Sequence, residues 1–551
     1  MKGRLTGAAV AALAIAAGAP LHAAGDEIRP LTILTRPQAA QPQEFQFVQL
    51  IAQQWRDLGL DVEVEVMPWE QMADVVWYSR DDWDMTGWEM VGRPERSDPD
   101  EIVYNLFHSS TADSGYNFIG YQNPEFDAVA EAQRVETDEA ARKELVFQAQ
   151  EILAADQPNA MLAHPLSTFA FDKTVFDPES VVDQSGIGIK NTWTFLEIEP
   201  IGEQRDIILN SADNIQAINP LYISGGTDSW ITELIWDRLL RVGPDGLPQE
   251  WAAESYEWVD DTTMEVTLRE GMEWHDGEPV TAEDVKFSFE AAGGGEAPMY
   301  APFVSNIEEI EVTGDRTIRF HLTEPSAAFT TATLAKVNLI PRHVWEPVLS
   351  GLAETEDNAE SHQEPQPIGS GPFRFASWTT NEEVVLEANE DHWAAPNVDR
   401  WILRIVPNTE AALGMLRSGE INFLSDFTAD PAILEQAAAE DGDLAVVKTP
   451  SLGFRYIAFN HRRPPFDDPA FRRALSTAIN RDLIVGAAFM GNAIKSNSVV
   501  APALEFWHNP ASVEGMEAGP EAAMRILEEA GYTLEDGDLH YPEGVTETLA
   551  E

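Results

Sequence analysis

The stretch "LTILTRPQAAQPQEFQFVQLIAQQWRDLGLDVEVEV", Leu31 to Val66, decides the fold class. "LTILTRP" is a strand candidate. In "EFQFVQLIAQQWRDLG", Val48, Ile51, Trp55 and Leu58 recur at helical spacing, and Gly59 can end the helix. "LDVEVEV" then alternates Leu60, Val62, Val64 and Val66 with acids, the pattern of a half-buried strand. Strand, helix and strand in so few residues make a compact α/β unit.

The far end of the chain poses a question. In "GDLHYPEGVTETLAE", Gly537 to Glu551, Leu539 and Tyr541 alternate like a strand, and Pro542-Glu543-Gly544 reads as a turn. A turn should feed another strand, yet the sequence runs out. Between the two ends, "TDEAARKELVFQAQEILAADQP" reads as a helix capped by Thr137, with Ala141, Leu145, Ala149 and Ile152 on one face. "DIILNSA" at Asp206 to Ala212 reads as a strand, and Met264, Val266 and Leu268 alternate in another. Thr281 and Asp284 form a capping-box variant. Asp468 caps a helix that has Pro469 in its first position. Pro520 starts a last helix, and Gly531 stops it.

Composition narrows the class. Lys2 and Arg4 precede the apolar run "LTGAAVAALAIAAGAP", and small residues follow. That is a signal peptide over residues 1–24, cleaved near Ala23 or Ala24. The apolar run is too short for a membrane span, and no later stretch reaches about 18 apolar residues. An exported chain is expected, periplasmic in location and not itself membrane-spanning. There is no cysteine, which excludes disulfides and a lipid-modified N-terminal cysteine. Acids number 94 against 35 basic residues, a formal charge of −59, and lysines only eight. Scattered acids argue for a solvated surface and against nucleic acid.

Enzyme signatures are absent. There is no H-E-x-x-H, G-x-S-x-G, G-x-x-x-x-G-K-[ST] or G-x-G-x-x-G. His275, beside Asp276 in "WHDG", has no second ligand or nucleophile at a telling spacing and reads as a turn residue. No catalytic residue, metal ligand or cofactor is assigned.

Four segments carry a resemblance. "MEVTLREGMEWHDGEPVTAEDVKFSFE", "PIGSGPFRFASW" with "LEANEDHW", "YIAFNHRRPPFDDPAFRRALSTAINRDLIVGAAFMG" and "AMRILEEAGY" are similar to motifs of the family 5 extracellular solute-binding proteins, the peptide-, nickel- and oligosaccharide-type receptors of ABC importers. The resemblance covers nearly all of 28–551. It implies a two-lobed clamp of the type II periplasmic binding protein kind, in the large cluster with an extra subdomain. The segment order resembles a circular permutation: pieces that follow "AGY…YPEG" in the family stand after the signal peptide here. The strand missing from the tail is then "LTILTRP". Mapped through the resemblance, 28–90 plus 451–551 form one discontinuous lobe and 91–450 the other. The extra subdomain falls within about 245–400, the joining linker within about 197–205, and the hinge crossings near Gly87–Arg93 and Thr449–Arg455.

The resemblance also implies a ligand-binding set. "MTGWEMVGRPERSDPD" matches the family's Gly-Trp cleft segment, but the amino-anchoring aspartate of peptide-binding members is missing. Trp88, Glu89, Arg93 and Asp98 are the candidates there, and Arg36 is the candidate to hold a ligand carboxylate. Gly226, Thr227 and Asp228 lie in a small-residue loop of the other lobe. Gly453 and Phe454 could offer backbone pairing to an extended ligand, and Trp507 a side-chain pocket. The implied function is that of a monomeric receptor handing a peptide or peptide-like solute to an inner-membrane permease with its ATPases. A receptor for an opine, oligosaccharide or metal chelate stays open, as does a secreted hydrolase.

Overall fold

The computed structural model describes residues 25–545, apart from 114, 223–225, 296, 356–357, 360–361, 363–365, 426 and 428. The expected signal peptide and its cleavage point lie outside the described residues. The opening stretch folds as its pattern predicts. Strand Leu31–Thr35 pairs in parallel with Val62–Val66, and helix Pro42–Arg56 connects them, burying Val48, Ile51 and Trp55.

Among the described residues, twelve strands join in one sheet. The long strand Asn159–Asp172 runs through its middle. Its first residues pair antiparallel with Phe454–Phe459, and its last with Leu444–Pro450. The chain therefore passes twice between the two halves of the sheet, at Ala163–Leu166 and at Pro450–Phe454. Both passages lie side by side in one ribbon, and strand Ala493–Lys495 pairs with the first of them.

On each side of that ribbon sits a separate apolar core. One half holds two clusters on opposite faces of the sheet: one built around Trp55, Phe471 and Leu527, the other around Trp88, Phe126 and Phe454. The other half is centred on Trp236, Phe289 and Trp401, with a smaller cluster around Leu416 and Leu434. A distinct four-stranded antiparallel sheet, Ala253–Asp260, Thr263–Leu268, Ile307–Val312 and Thr317–Leu322, belongs to this second half.

Two sequence expectations need correction here. The chain does not change lobes near Gly87–Arg93. After strand Met85–Met90, helices Asp100–Phe107, Pro124–Val135 and Glu139–Asp156 bury Ile102, Phe126 and Val146 in the same core as Trp88. The division by core is therefore 25–163 plus 452–545 against 166–450. The extra sheet also ends before 400, because strands Phe373–Thr379, Glu383–Ala388 and Arg400–Ile405 extend the large sheet instead.

Residues 539–541 pair with the first described residues. Gly25 N donates to Tyr541 O at 3.0 Å, Tyr541 N to Asp26 O at 2.9 Å and Ile28 N to Leu539 O at 3.0 Å. The segment leading into strand Leu31–Thr35 is thus stitched to residues 539–541.

The ribbon leaves no room for a side chain at one point. A Cβ on Gly453 would lie 2.4 Å from Met90 O and 2.6 Å from Gly92 N, and backbone atoms cannot swing aside. Gly453→Ala is expected to cost about 1–3 kcal/mol by overpacking. In urea it should lower the unfolding midpoint without changing the slope; an unchanged midpoint would show that the ribbon tolerates a wider spacing.

Candidate functional site

Strand Met85–Met90 places Trp88 and Glu89 on opposite faces, as alternation requires. Trp88 is buried in an aromatic group, with ring centroids 5.3 Å from Trp69, 5.0 Å from Phe118 and 6.4 Å from a parallel Trp77. Glu89 lies between two guanidinium groups: Oε1 accepts from Arg36 Nη2 at 3.0 Å, and Oε2 is 2.9 Å from Arg455 Nη2. Arg36 is also bound to the buried Glu44, through Nε to Oε2 at 2.8 Å and through Nη2. Burial alone would lower the pKa of Arg36, but Glu44 and Glu89 raise it. Two protein carboxylates thus engage Nε and Nη2 of Arg36.

Asp98 is also held by the protein. It is buried against Arg142, with Oδ1 2.6 Å from Nη2 and Oδ2 3.0 Å from Nη1. Burial would raise the carboxyl's pKa, but Arg142 and the N–H of Asp100 bring it below its usual value. Asp98 Oδ2 also accepts from Thr331 Oγ1 at 2.7 Å. Thr331 belongs to the other half, so this bond ties the two halves together. Ala327 N donates to Arg134 O at 2.7 Å in a second such tie.

Around these ties lies a cavity of about 180 Å³ walled from both halves. Asp98, Glu136, Glu139, Arg142 and Trp507 line one side; Tyr256, Trp258 and Thr331 line the other. Trp507 is buried, with the Arg142 guanidinium 5.2 Å from its ring centroid. Thr331 is also part of the wall of a second, smaller cavity of about 40 Å³ inside the second half. Arg238, Arg241 and Lys336 line that cavity with a single carboxylate, Glu233.

The remaining expected residues divide. Asp228 is buried, and its carboxylate accepts the N–H groups of Gln216 and Ala217 at 3.2 Å each, so it holds a loop in place. Gly226 and Thr227 open helix Gly226–Ile235. Arg93 is exposed, with extended backbone at φ −144°. Phe454 is fully buried and already paired with Met90 in the ladder, and Gly453 packs on Gly92. Neither offers open backbone to a ligand, which corrects the pairing expected there.

Sequence reasoning missed Arg142, Thr331 and the Arg238–Arg241 pair. It also missed His164, which sits in the ribbon with Nδ1 3.0 Å from Gly453 O and Nε2 3.3 Å from Ser498 O. Burial pushes this imidazole down to about 4, so it is neutral near pH 7. A larger hollow of about 550 Å³ lies on residues 478–483 and 516–520 of the first half alone, where movement of the two halves cannot gate it. Among the described residues, no group of three His, Asp or Glu side chains could hold a metal, and no helix is long and apolar enough to cross a membrane.

Comparison with known proteins adds context to this geometry. Residues 248–550 match the family model "Bacterial extracellular solute-binding proteins, family 5 Middle". A putative ABC transporter peptide-binding protein of Brucella ovis is 30% identical over 327 residues, 58% of each chain. The oligopeptide-binding protein AppA of Bacillus subtilis is 27% identical over 60% of each chain. The glutathione-binding protein GsiB of Salmonella typhi is 28% identical over 63% of each. The chain thus spans about three fifths of the length of the curated relatives it matches. Among solved structures, B. subtilis AppA with a nonapeptide aligns at TM-score 0.44 and 23% identity, over 62% of this chain and 67% of that one.

The Asp98–Arg142 pair is expected to act on stability and on closure separately. Arg142→Met strands a buried carboxylate and should cost about 3–5 kcal/mol of folding stability. Thr331→Val removes the tie between the halves, worth about 1.5–3 kcal/mol for a charged acceptor, together with the longer local bond to Ala328 O. It should shift the ensemble toward open forms, read as an increased radius of gyration by small-angle scattering with little change in the urea midpoint of either half.

Proposed function

The chain belongs to the bacterial extracellular solute-binding proteins of family 5, and from that premise we propose that it is a periplasmic receptor for an ABC importer. It captures a peptide or peptide-like solute by closure of its two halves and presents it to an inner-membrane permease with its ATPases. It is exported, acts as a monomer and performs no catalysis of its own. The observation that carries this reading is the cavity walled from both halves, beside the paired passages that join them. Hinge closure about a ligand is the motion that such an arrangement permits. A ligand drives it only by binding the closed form better than the open one, and a site walled from both sides meets that condition. The printed names of the relatives, peptide-binding, oligopeptide-binding and glutathione-binding, favour a peptide-like solute over the alternatives.

Small molecules released on denaturing the exported protein, identified by mass spectrometry, test the reading. Peptides are the expected result. A sugar, an opine or a metal chelate would keep the receptor and change its substrate class. Turnover of a peptide or glycoside panel by the purified protein would overturn it in favour of an enzyme.

The segment order is read here as a circular permutation. Support comes from the bonds between Gly25, Asp26 and Ile28 on one side and Leu539 and Tyr541 on the other, which hold adjacent two stretches far apart in the chain. Chain regions held this close can be joined, and a surface turn elsewhere opened, without disturbing the core. An intact mass for the protein exported by its native host that begins near residue 25 and ends at Glu551 is expected; a longer or shorter product would refute the permuted order.

A further inference from the structure

The aromatic group around Trp88 reaches the surface. Its rings form a chain: Trp69 stands 5.3 Å from Trp88, Trp77 lies parallel to Trp88 at 6.4 Å, and Tyr116 meets Trp77 edge-on at 5.3 Å. The two ends of this chain are open, Trp69 at 48% exposure and Tyr116 at 45%, and Trp77 between them is only half-buried. Trp69 comes three residues after strand Val62–Val66, and Trp88 two residues before the end of Met85–Met90. Both strands flank Leu31–Thr35 in parallel. The rings therefore stand at the carboxyl ends of parallel strands, the edge at which open α/β sheets take their ligands.

The backbone is bent to build this group. Trp77 lies in a π-helical turn, Asp74–Ser79, a geometry that recurs at functional sites. Arg80 closes the turn at φ 65°, in the left-handed region that side chains disfavour. Its guanidinium donates to Ala112 O and Gly115 O, which ties the loop of Tyr116 to the turn of Trp77. Ring faces of this kind attract cations. The group already holds two of the protein's own, Arg36 at 5.5 Å from the Trp69 centroid and Arg80 at 5.8 Å from that of Trp77. Glu70, Asp74, Asp81 and Asp113 stand exposed on the same two segments. In a chain of formal charge −59, a cation approaches with the field and an anion against it. An uncharged apolar group would gain the ring area but nothing from the carboxylates.

We propose that these rings receive a cationic group of the solute, lying across Trp77 between Trp69 and Tyr116, and that the receptor thereby selects peptide-like solutes with a basic side chain. The proposal rests on the receptor reading for the identity of the occupant and adds a substrate class to it. All the rings belong to the first half, so the selection operates in the open form as well as in the closed one.

The test uses the full exported chain with ¹⁵N-labelled tryptophan. The indole N–H cross-peak of Trp69, assigned with Trp69→Phe, is followed while choline chloride replaces sodium chloride at constant ionic strength. A saturable shift is expected, with affinity about fivefold weaker for dimethylbutanol, the uncharged carbon analogue of choline. Tyr116→Ala should weaken choline by a similar factor, and Tyr116→Phe, which keeps the ring, should not. Trp393 is the internal control: it is 41% exposed, but the Arg269 guanidinium already lies 4.2 Å from its ring centroid. An equal shift at Trp393, equal binding of the alcohol, or an affinity unchanged in Tyr116→Ala overturns the cation site.

By calorimetry, Ala-Lys-Ala should then bind about fivefold more tightly than Ala-norleucine-Ala, whose central side chain has the same length and no charge, and Trp69→Ala should remove the difference. Equal affinities, or a difference that survives in Trp69→Ala, overturn the selection of basic solutes. The choline arm reads the rings without any peptide, and ligand release reads capture without reference to the rings, so failure of one is distinguishable from failure of the other.

Discussion

The main chain passes between the two cores along two adjacent passages, with strand Ala493–Lys495 paired against one of them. Their geometry depends on the approach of Gly453 to the backbone of Met90 and Gly92, so close that a single methyl would collide. Because the ribbon's strands pair with each other, Ala163–Leu166 and Pro450–Phe454 bend together rather than separately. The apolar clusters are distinct on either side of it, with Ile187 and Leu247 of the second half packed against the core of the first. Each half has a core of its own, the condition for the angle between them to change while each stays folded.

Charge is arranged on two scales. At the surface, carboxylates prevail and are scattered. Inside, cations are held in specific places: Arg142 against Asp98, Arg36 between Glu44 and Glu89, Arg241 beside Glu233. Arg481, buried and bonded only to Met161 O, Ser476 O and Ser476 Oγ, shows that this protein also keeps a guanidinium without a carboxylate, and burial holds it down to about 10. Arg472, 3% exposed and donating Nη1 to Phe466 O, is held down to about 10 by burial in the same way.

Much of the fold was legible in the sequence. The opening strand–helix–strand, the capping box at Thr281, the cap at Asp468 and the stop at Gly531 all carry local signals that the structure uses. The helix Glu139–Asp156 shows where local signals end. Its apolar residues pointed to a face of Ala141, Leu145, Ala149 and Ile152, and its cap to Thr137. The cap is Asp138, and the buried face is Arg142, Val146, Ala149, Gln150 and Leu153. A periodicity that counts only apolar side chains cannot see a face built around a buried arginine and glutamine. The site eluded the sequence for the same reason. Whether Arg36 is available or occupied depends on Glu44, eight residues on, and Glu89 from another strand. The division into lobes at the ribbon rather than at Arg93 depends on which core three helices enter, and no motif records that.

A narrow ribbon also makes the molecule a lever. When two rigid bodies turn about one joint, a given angle moves atoms near the joint very little and atoms at the rim a great deal. The bond from Leu452 N to Gly186 O joins the ribbon to the second half next to the joint. The bonds from Thr331 to Asp98 and from Ala327 to Arg134 join the bodies themselves, and a small angle pulls them beyond reach. Opening must therefore break Thr331–Asp98 and Ala327–Arg134, whatever else it leaves intact.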